Sequence, residues 1–498
     1  MAAVNIKFGP AGFRAVIADK FTISSLRRLA HAAAEHLREN REYGCKSEEY
    51  LLHLRNSGQP APKLPHVVIG HDTRYFAAEF ARNAAEAFAA EGFTVLLSGA
   101  EAPTPAVAFA VRKTFAAGGF MLTAGSAPAH CGGVFWIPYW GGPALPEVAQ
   151  DLELRAQGLT IAESEKIIPY DQAVSSGVVK ISELSENYFK QLISLVDAPA
   201  IKKAGLKVAA DPMHGSAAAY LRPVLERLGV KVTPLREGRD VMFGGSVPEI
   251  SEPNLKPLRD AVTKNRLNLG LACDGDASRY GIIDSDGAWI PPNLVLGLAI
   301  EHLARNRGFK GRIARSLMTS HFADAVARQY GLTVRETPVG FRHIGALLRT
   351  GQYMIGGEES GGLSIAGHTP APDGILTCLL MADMAARERK PLRQILAALR
   401  KKTGSFVNTK TDIRVDQGVN LPAVIERLTH RPPLSLAGAS VWRIDHTDGF
   451  KFIMKDGSWL GLRPFAAEHS AEIYAEASEK ARMDALVQSG IKIINGKF

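Results

Sequence analysis

The chain has 498 residues, too many for one ordinary domain, and a prior of about 100–200 residues per domain suggests three to five. Lys+Arg is 59 against Asp+Glu 50, a net charge of +9, with 46% hydrophobic and 22% charged residues. That balance is globular and excludes a disordered or fibrous chain. No window approaches the roughly 18 uncharged apolar residues of a membrane span, and no basic block with interleaved aromatics suggests nucleic acid.

The start, Met1-Ala-Ala-Val-Asn-Ile-Lys-Phe8, lacks the succession of a signal peptide. Cys45, Cys131, Cys273 and Cys378 lie far apart with no CxxC, which fits reduced thiols in the cytoplasm and neither a disulfide framework nor a zinc site. The modest, dispersed positive charge favours a small anionic ligand. Residues 40–65, with Ser57-Gly-Gln-Pro-Ala-Pro62, read as an exposed insertion.

Three segments then repeat one grammar of strand, polar loop, amphipathic helix, glycine stop and second strand. The first is Val67-Val-Ile-Gly-His-Asp-Thr-Arg74, a helix over Ala77–Ala90, Gly92 and Phe93-Thr-Val-Leu-Leu97. The second is Lys207-Val-Ala-Ala-Asp-Pro-Met-His-Gly215, a helix through Leu228, Gly229 and Val230-Lys-Val-Thr-Pro234. The third is Ile313-Ala-Arg-Ser-Leu-Met-Thr-Ser320, a helix to Tyr330, Gly331 and Leu332-Thr-Val-Arg-Glu336. Strand–helix–strand predicts right-handed crossovers and a parallel or mixed sheet. Each copy continues into a further strand and a loop: Gly119 to Thr123 into Ala-Gly-Ser-Ala-Pro128, Leu269 to Cys273 into Asp-Gly-Asp-Ala-Ser278, and Tyr353-Met-Ile355 into Gly-Gly-Glu-Glu-Ser-Gly-Gly362. Ligands sit beyond the carboxyl ends of such strands, so the three loops are expected to face one site. From about Gly404 the pattern becomes short strands and two helices, a small α+β cap.

These loops, in this order, resemble the α-D-phosphohexomutase family of phosphoglucomutases and phosphomannomutases. The likeness runs from Phe8-Gly-Pro-Ala-Gly-Phe-Arg-Ala-Val-Ile17 through Gly141-Gly-Pro-Ala-Leu-Pro-Glu147, Asp211-Pro-Met-His-Gly215 and Glu336-Thr-Pro-Val-Gly-Phe341. It continues through Gly357-Glu-Glu-Ser-Gly-Gly362, Gly367-His-Thr-Pro-Ala-Pro-Asp-Gly374, Leu462-Arg-Pro464 and Ile473-Tyr-Ala-Glu476. The resemblance implies an α/β fold: three similar mixed-sheet domains in tandem (1–180, 181–290, 291–403) and a smaller C-terminal α+β domain (404–498) around a central cleft. It implies phosphoryl transfer between the 1 and 6 positions of a hexose, from a phosphoserine, with Mg²⁺ on three aspartates.

The chemical loops depart from that pattern. Where the family reads Thr-Ala-Ser-His-Asn-Pro, this chain reads Thr123-Ala-Gly-Ser-Ala-Pro128, which puts Gly125 at the phosphoserine position, Ser126 at the histidine and Phe135 at the lysine. Ser126 is a substitute nucleophile in one reading and an ordinary loop serine in the other. Asp274 and Asp276 remain as metal ligands, with Arg279 after them, but Ser278 replaces the third aspartate, so Mg²⁺ is expected to bind weakly or not at all. Glu358, Ser360 and His368 match the sugar-binding positions, and Asp373 matches too or simply caps the next helix. Arg463 keeps the phosphate loop's cation, but Phe465-Ala-Ala-Glu-His469 has lost its hydroxyls and glycine. In the N-terminal motif Pro10-Ala11 replaces Thr-Asp, while Arg14 is kept and should face the nucleophile loop. The aromatics of Phe135-Trp-Ile-Pro-Tyr-Trp140 read as core packing, a partner patch or a less polar pocket, with packing the default.

Three functions follow. The first is a family member without mutase catalysis, binding a hexose or hexose phosphate or serving a protein partner in regulation or assembly. The second is a working mutase using Ser126 or a rebuilt loop. The third is new chemistry on a phosphosugar-like ligand. Losing the covalent donor should end a ping-pong transfer, which favours the first.

Overall fold

The computed structural model describes residues 6–9, 12–56 and 65–497. The Pro10-Ala11 departure and the Ser57–Pro62 stretch lie outside them. The three repeats each build a sheet with the same core. His66–His71 pairs in parallel with Thr94–Ser98 and Gly118–Leu122, and Cys131–Pro138 then returns antiparallel along Gly118–Leu122. Lys207–Asp211 does the same with Lys231–Pro234 and Leu269–Cys273, followed by antiparallel Tyr280–Asp284. Arg312–Ser316 does so with Val334–Thr337 and Tyr353–Gly357, followed by antiparallel Leu363–Ile365. The sheets have 6, 5 and 4 strands, so they are mixed as expected. Gly92, Gly229 and Gly331 end the crossover helices at φ 83°, 76° and 64°, where a side chain would be strained.

The second copy differs in one respect. Its crossover helix is split into a 3-10 turn, Ser216–Ala219, and a short α-helix, Leu221–Arg227. Pro223 lacks the N–H that a continuous helix would need there. The C-terminal part is an antiparallel sheet of 6 strands with the helices Leu421–His430 and Lys480–Ile494.

The helix Gly374–Glu388 is buried all round over residues 374–386, which are apolar but for Thr377 and the ion-paired Asp383, and packs between the second and third sheets. Asp373 begins it: Oδ1 accepts the Leu376 N–H at 2.8 Å, and Oδ2 accepts from the Tyr188 hydroxyl at 2.7 Å. The capping reading of Asp373 therefore holds.

Within the expected insertion, the described residues 40–56 are not simply exposed. Ser47 caps a helix, Glu48–Arg55, that buries Tyr50 and Leu54. The Tyr50 ring meets Tyr139 with centroids 5.3 Å apart, so the apolar face of this helix covers the first sheet's aromatic edge. Trp136, Tyr139 and Trp140 are core residues, so packing accounts for most of the aromatic run, while Phe135 lines a cleft. All four cysteines are free thiols, and among the described residues no helix is long and apolar enough to cross a membrane.

Candidate functional site

The strand-end loops of all three repeats converge on one cleft of about 330 Å³, and the C-terminal sheet closes it with Arg463, Glu472 and Tyr474. The loops are joined by backbone. The Thr104 N–H of the first repeat donates to the Asp276 carbonyl at 2.9 Å, and the Gly374 N–H of the third donates to the Ala277 carbonyl at 2.9 Å. The loop 274–278 is thus clamped from both sides, and the shared site expected from the repeat is present.

Gly125 sits in this cleft at φ +58°. A Cβ built there would stand 2.7 Å from Arg14 Nη2 and 3.7 Å from Phe135 Cζ. The Arg14 guanidinium stacks on the Phe135 ring at 5.0 Å, so these two side chains fill the space opposite position 125. Arg14 faces the loop as expected. Its pKa is lowered by burial, with Asp276 and Asp274 opposing and Arg279 and Arg74 adding to the shift. Ser126 lines the cleft one residue further on.

Sequence reading missed the residue that holds this loop. Arg74 is buried, and its five guanidinium N–H groups are all used. Nε donates to Asp72 at 3.2 Å, Nη1 to the Pro128 and Cys131 carbonyls at 2.8 and 3.2 Å, and Nη2 to the Gly125 and Ala127 carbonyls at 2.7 Å each. Thr123 Oγ1 donates to the same carboxylate group at 2.6 Å and accepts the Gly125 N–H at 2.9 Å.

In the next loop Asp274 and Asp276 are buried side by side. Asp276 accepts from Thr104 Oγ1 at 2.6 Å and from Ser278 Oγ at 2.8 Å, and Ser278 Oγ lies 3.4 Å from Asp274 Oδ2. Asp274 also accepts the Arg279 N–H at 2.9 Å. Burial, and then the Asp276 charge, raise the Asp274 carboxyl to about 8. A serine hydroxyl bridges two carboxylates where a three-aspartate cage would need its third charge. Among the described residues no group of three His, Cys, Asp or Glu side chains is placed to hold a metal. Two of that cage's three carboxylates are present, with the Ser278 hydroxyl in the third position.

Glu358 and Ser360 lie together at the cleft wall, with Ser360 Oγ donating to Glu358 Oε1 at 2.7 Å. The pair offers an acceptor and a hydroxyl to a polyol. Burial, with the neighbouring Glu359 charge, raises the Glu358 carboxyl to about 7. A carboxyl whose folded pKa lies above its unfolded one loses stability as pH rises from about 4.5 through about 7. Glu358→Gln should therefore stabilise the protein by about 1–2 kcal/mol at about pH 8.5, discounted for the group's opening to cleft water, and by almost nothing at about pH 4.5. Melting temperatures at the two pH values check this; an equal gain at both contradicts it.

One expected site residue, His368, is placed differently, and another, Arg463, has partners that the sequence did not disclose. His368 does not line this cleft. It is buried, with Nε2 at 2.8 Å from Asp373 Oδ2, and it lines a separate cavity, because the turn at Gly367 (φ +83°) and the Asp373 cap draw it inward. Arg463 does line the cleft, but it is not a lone cation awaiting an anion. Nε donates to Asp448 at 3.1 Å and Nη1 to Glu472 at 2.5 Å. Lys410 also reaches Glu472, at 2.7 Å, so cations and carboxylates on this wall neutralise one another.

Models of phosphoglucomutase/phosphomannomutase alpha/beta/alpha domains I, II and III match residues 51–160, 186–287 and 291–403. A phosphoglucosamine mutase of Frankia casuarinae is 30% identical over 95% of this chain and 99% of its own. A phosphoglucomutase of Komagataeibacter xylinus is 26% identical over 83% of this chain and 80% of its own. The crystal structure of a candidate phosphomannomutase from Thermus thermophilus superposes with a TM-score of 0.81 at 30% identity, covering 99% of this chain and 100% of that one.

Proposed function

The chain belongs to the α-D-phosphohexomutase family, and we propose that within it this protein binds a hexose or hexose phosphate without carrying out the phosphoryl exchange. The observation that carries the reading is position 125. It has no oxygen to phosphorylate, and a side chain there would meet the Arg14 guanidinium, which is stacked on Phe135. Such a transfer depends on a positioned donor and on charge neutralisation. The Asp274–Ser278–Asp276 arrangement supports the same reading, since a neutral hydroxyl stands in the third ligand's place and is itself hydrogen-bonded to Asp276.

Glu358 and Ser360 are the sugar-binding pair in this reading, with Arg14 and Arg279 as cations lining the same cleft. The phosphate end is weakened, because Arg463 is shared between Asp448 and Glu472 and the stretch after it offers no hydroxyl.

Ser126 lines the cleft and is the group on which the active alternative rests. The test separates the two. Purified protein incubated with glucose 1,6-bisphosphate and Mg²⁺ is weighed intact and assayed for glucose 1-phosphate conversion. The expected result is no added phosphoryl group, no turnover, and a melting temperature raised by hexose or hexose phosphate equally with and without Mg²⁺. A stoichiometric phosphoryl group that disappears in Ser126→Ala, together with turnover, establishes the active reading instead.

A further inference from the structure

A second cavity, of about 480 Å³, lies across the segment 366–372 from the cleft: His368 and Pro370 line it, whereas Ala371 and Pro372 line the cleft. Its walls come from the helix Glu48–Arg55 and from the C-terminal ends of the helices Thr104–Lys113 and Phe341–Arg349. Its size is that of a small-molecule site.

The polar groups here are not balanced. Arg112 forms no ion pair among the described residues, and its one hydrogen bond among them runs from Nη1 to the His368 carbonyl at 2.8 Å. Burial lowers its pKa with no carboxylate opposing the shift. Arg349 lies over the Trp140 ring at 4.3 Å and, among the described residues, pairs only with Glu49, which is 55% exposed. His53 Nε2 and His368 Nδ1 are buried without a hydrogen-bond partner among the described residues. Burial, and then the Arg112 charge, lower the His53 pKa. Cations at helix C-termini suit the helix dipole, and that accounts for Arg112 and Arg349 being basic. It does not account for a buried Arg112 that has no counter-charge among the described residues, or for the orphaned His53 Nε2 beside it, since a buried polar atom without a partner is costly.

We propose that this cavity is a second ligand site, separate from the cleft, for a small organic dianion seated between Arg112 and Arg349, with its short apolar body against Trp140 and Leu348. A dianion supplies the counter-charge that Arg112 lacks among the described residues. A phosphate monoester and a dicarboxylate share this chemistry. The site does not depend on how the cleft is read. The segment 366–372 is common to both walls, so occupancy here bears directly on the cleft's shape.

The experiment titrates the full-length protein with phenyl phosphate in one arm and phthalate in the other, at constant ionic strength, following melting temperature and tryptophan fluorescence. The expected result is saturable stabilisation by at least one of them, with a fluorescence change that Trp140→Phe removes. Arg112→Gln should weaken that binding at least tenfold, and His53→Gln several-fold. Ser360→Ala, in the cleft, should leave it intact. Arg112→Lys keeps the charge and should retain part of the affinity, which guards against a folding defect in Arg112→Gln. Absence of saturable binding by either dianion up to about 10 mM overturns the proposal. So does binding that survives Arg112→Gln unchanged, or that is lost in Ser360→Ala, which would place the ligand in the cleft.

Discussion

Replacing Arg74 by methionine should cost the protein about 3–5 kcal/mol, the range for breaking one side of a buried ion pair. Arg74 is 2% exposed and Asp72 1%, so neither partner can turn to water once the other is gone. The variant leaves the Asp72 carboxylate with Thr123 and the backbone N–H of residue 74 alone, and it strips the guanidinium donors from four carbonyls of residues 125–131. Each carbonyl that stays buried without a donor adds a penalty of about 1–3 kcal/mol unless the loop opens to water. Opening is therefore the expected relief, and the damage concentrates in the loop that carries Gly125 and Ser126. A chain of several sheets does not unfold in one step, so the readout is the first melting transition together with hydrogen exchange across residues 123–131. Arg74→Lys should rescue little, because an ammonium cannot reproduce a five-donor fork. A methionine variant that melts with the wild type and keeps slow exchange in this loop shows that something else holds it.

The same residue marks the limit of what the sequence discloses. Asp72-Thr-Arg74 is visible as the end of the first repeated strand, but nothing in the chain's order says that residues 125–131 return to lie on that arginine. The repeats themselves are legible because they rest on local signals: runs of apolar residues, crossover helices and glycines at left-handed positions. The capping role of Asp373 is legible for the same reason. His368 is misplaced, and the partners of Arg463 are hidden, for the opposite reason. A motif match places His368 with the sugar loop, while a turn and a carboxylate five residues on carry it into another cavity. Arg463 reads as the surviving anion-binding cation, yet the antiparallel register sets it directly opposite Glu472, and that pairing exists only once the two strands lie side by side. Gly125 is an intermediate case. Its lack of a hydroxyl is plain from the sequence, whereas the filling of its surroundings by Arg14 and Phe135 is visible only in the fold.

That filling decides what it takes to restore the chemistry, and it yields the prediction with the largest effect on activity. Gly125→Ser alone should remain without turnover. The backbone at this position has φ +58°, which costs a serine about 1–3 kcal/mol, and the new Cβ meets the Arg14 guanidinium. The contact is with the far end of a flexible side chain, so Arg14 can retreat, but the Phe135 ring holds it where it is by stacking. Phe135→Lys removes that platform and brings a cation to the loop. Ser278→Asp places a third carboxylate beside Asp274 and Asp276, and the three repel one another unless a divalent cation joins them. The triple variant should therefore melt lower than the wild type without Mg²⁺ and recover when Mg²⁺ is added, a response the wild type should not show. With glucose 1,6-bisphosphate it should take up one phosphoryl group on the serine introduced at position 125. It should then convert glucose 1-phosphate at least about 100-fold faster than Gly125→Ser, the scale set by a positioned proton-transfer group and charge stabilisation in a transition state. If the triple variant folds and answers to Mg²⁺ yet takes up no phosphoryl group, the loop departures are not what silences this cleft. If the wild type already matches its rate, they never silenced it.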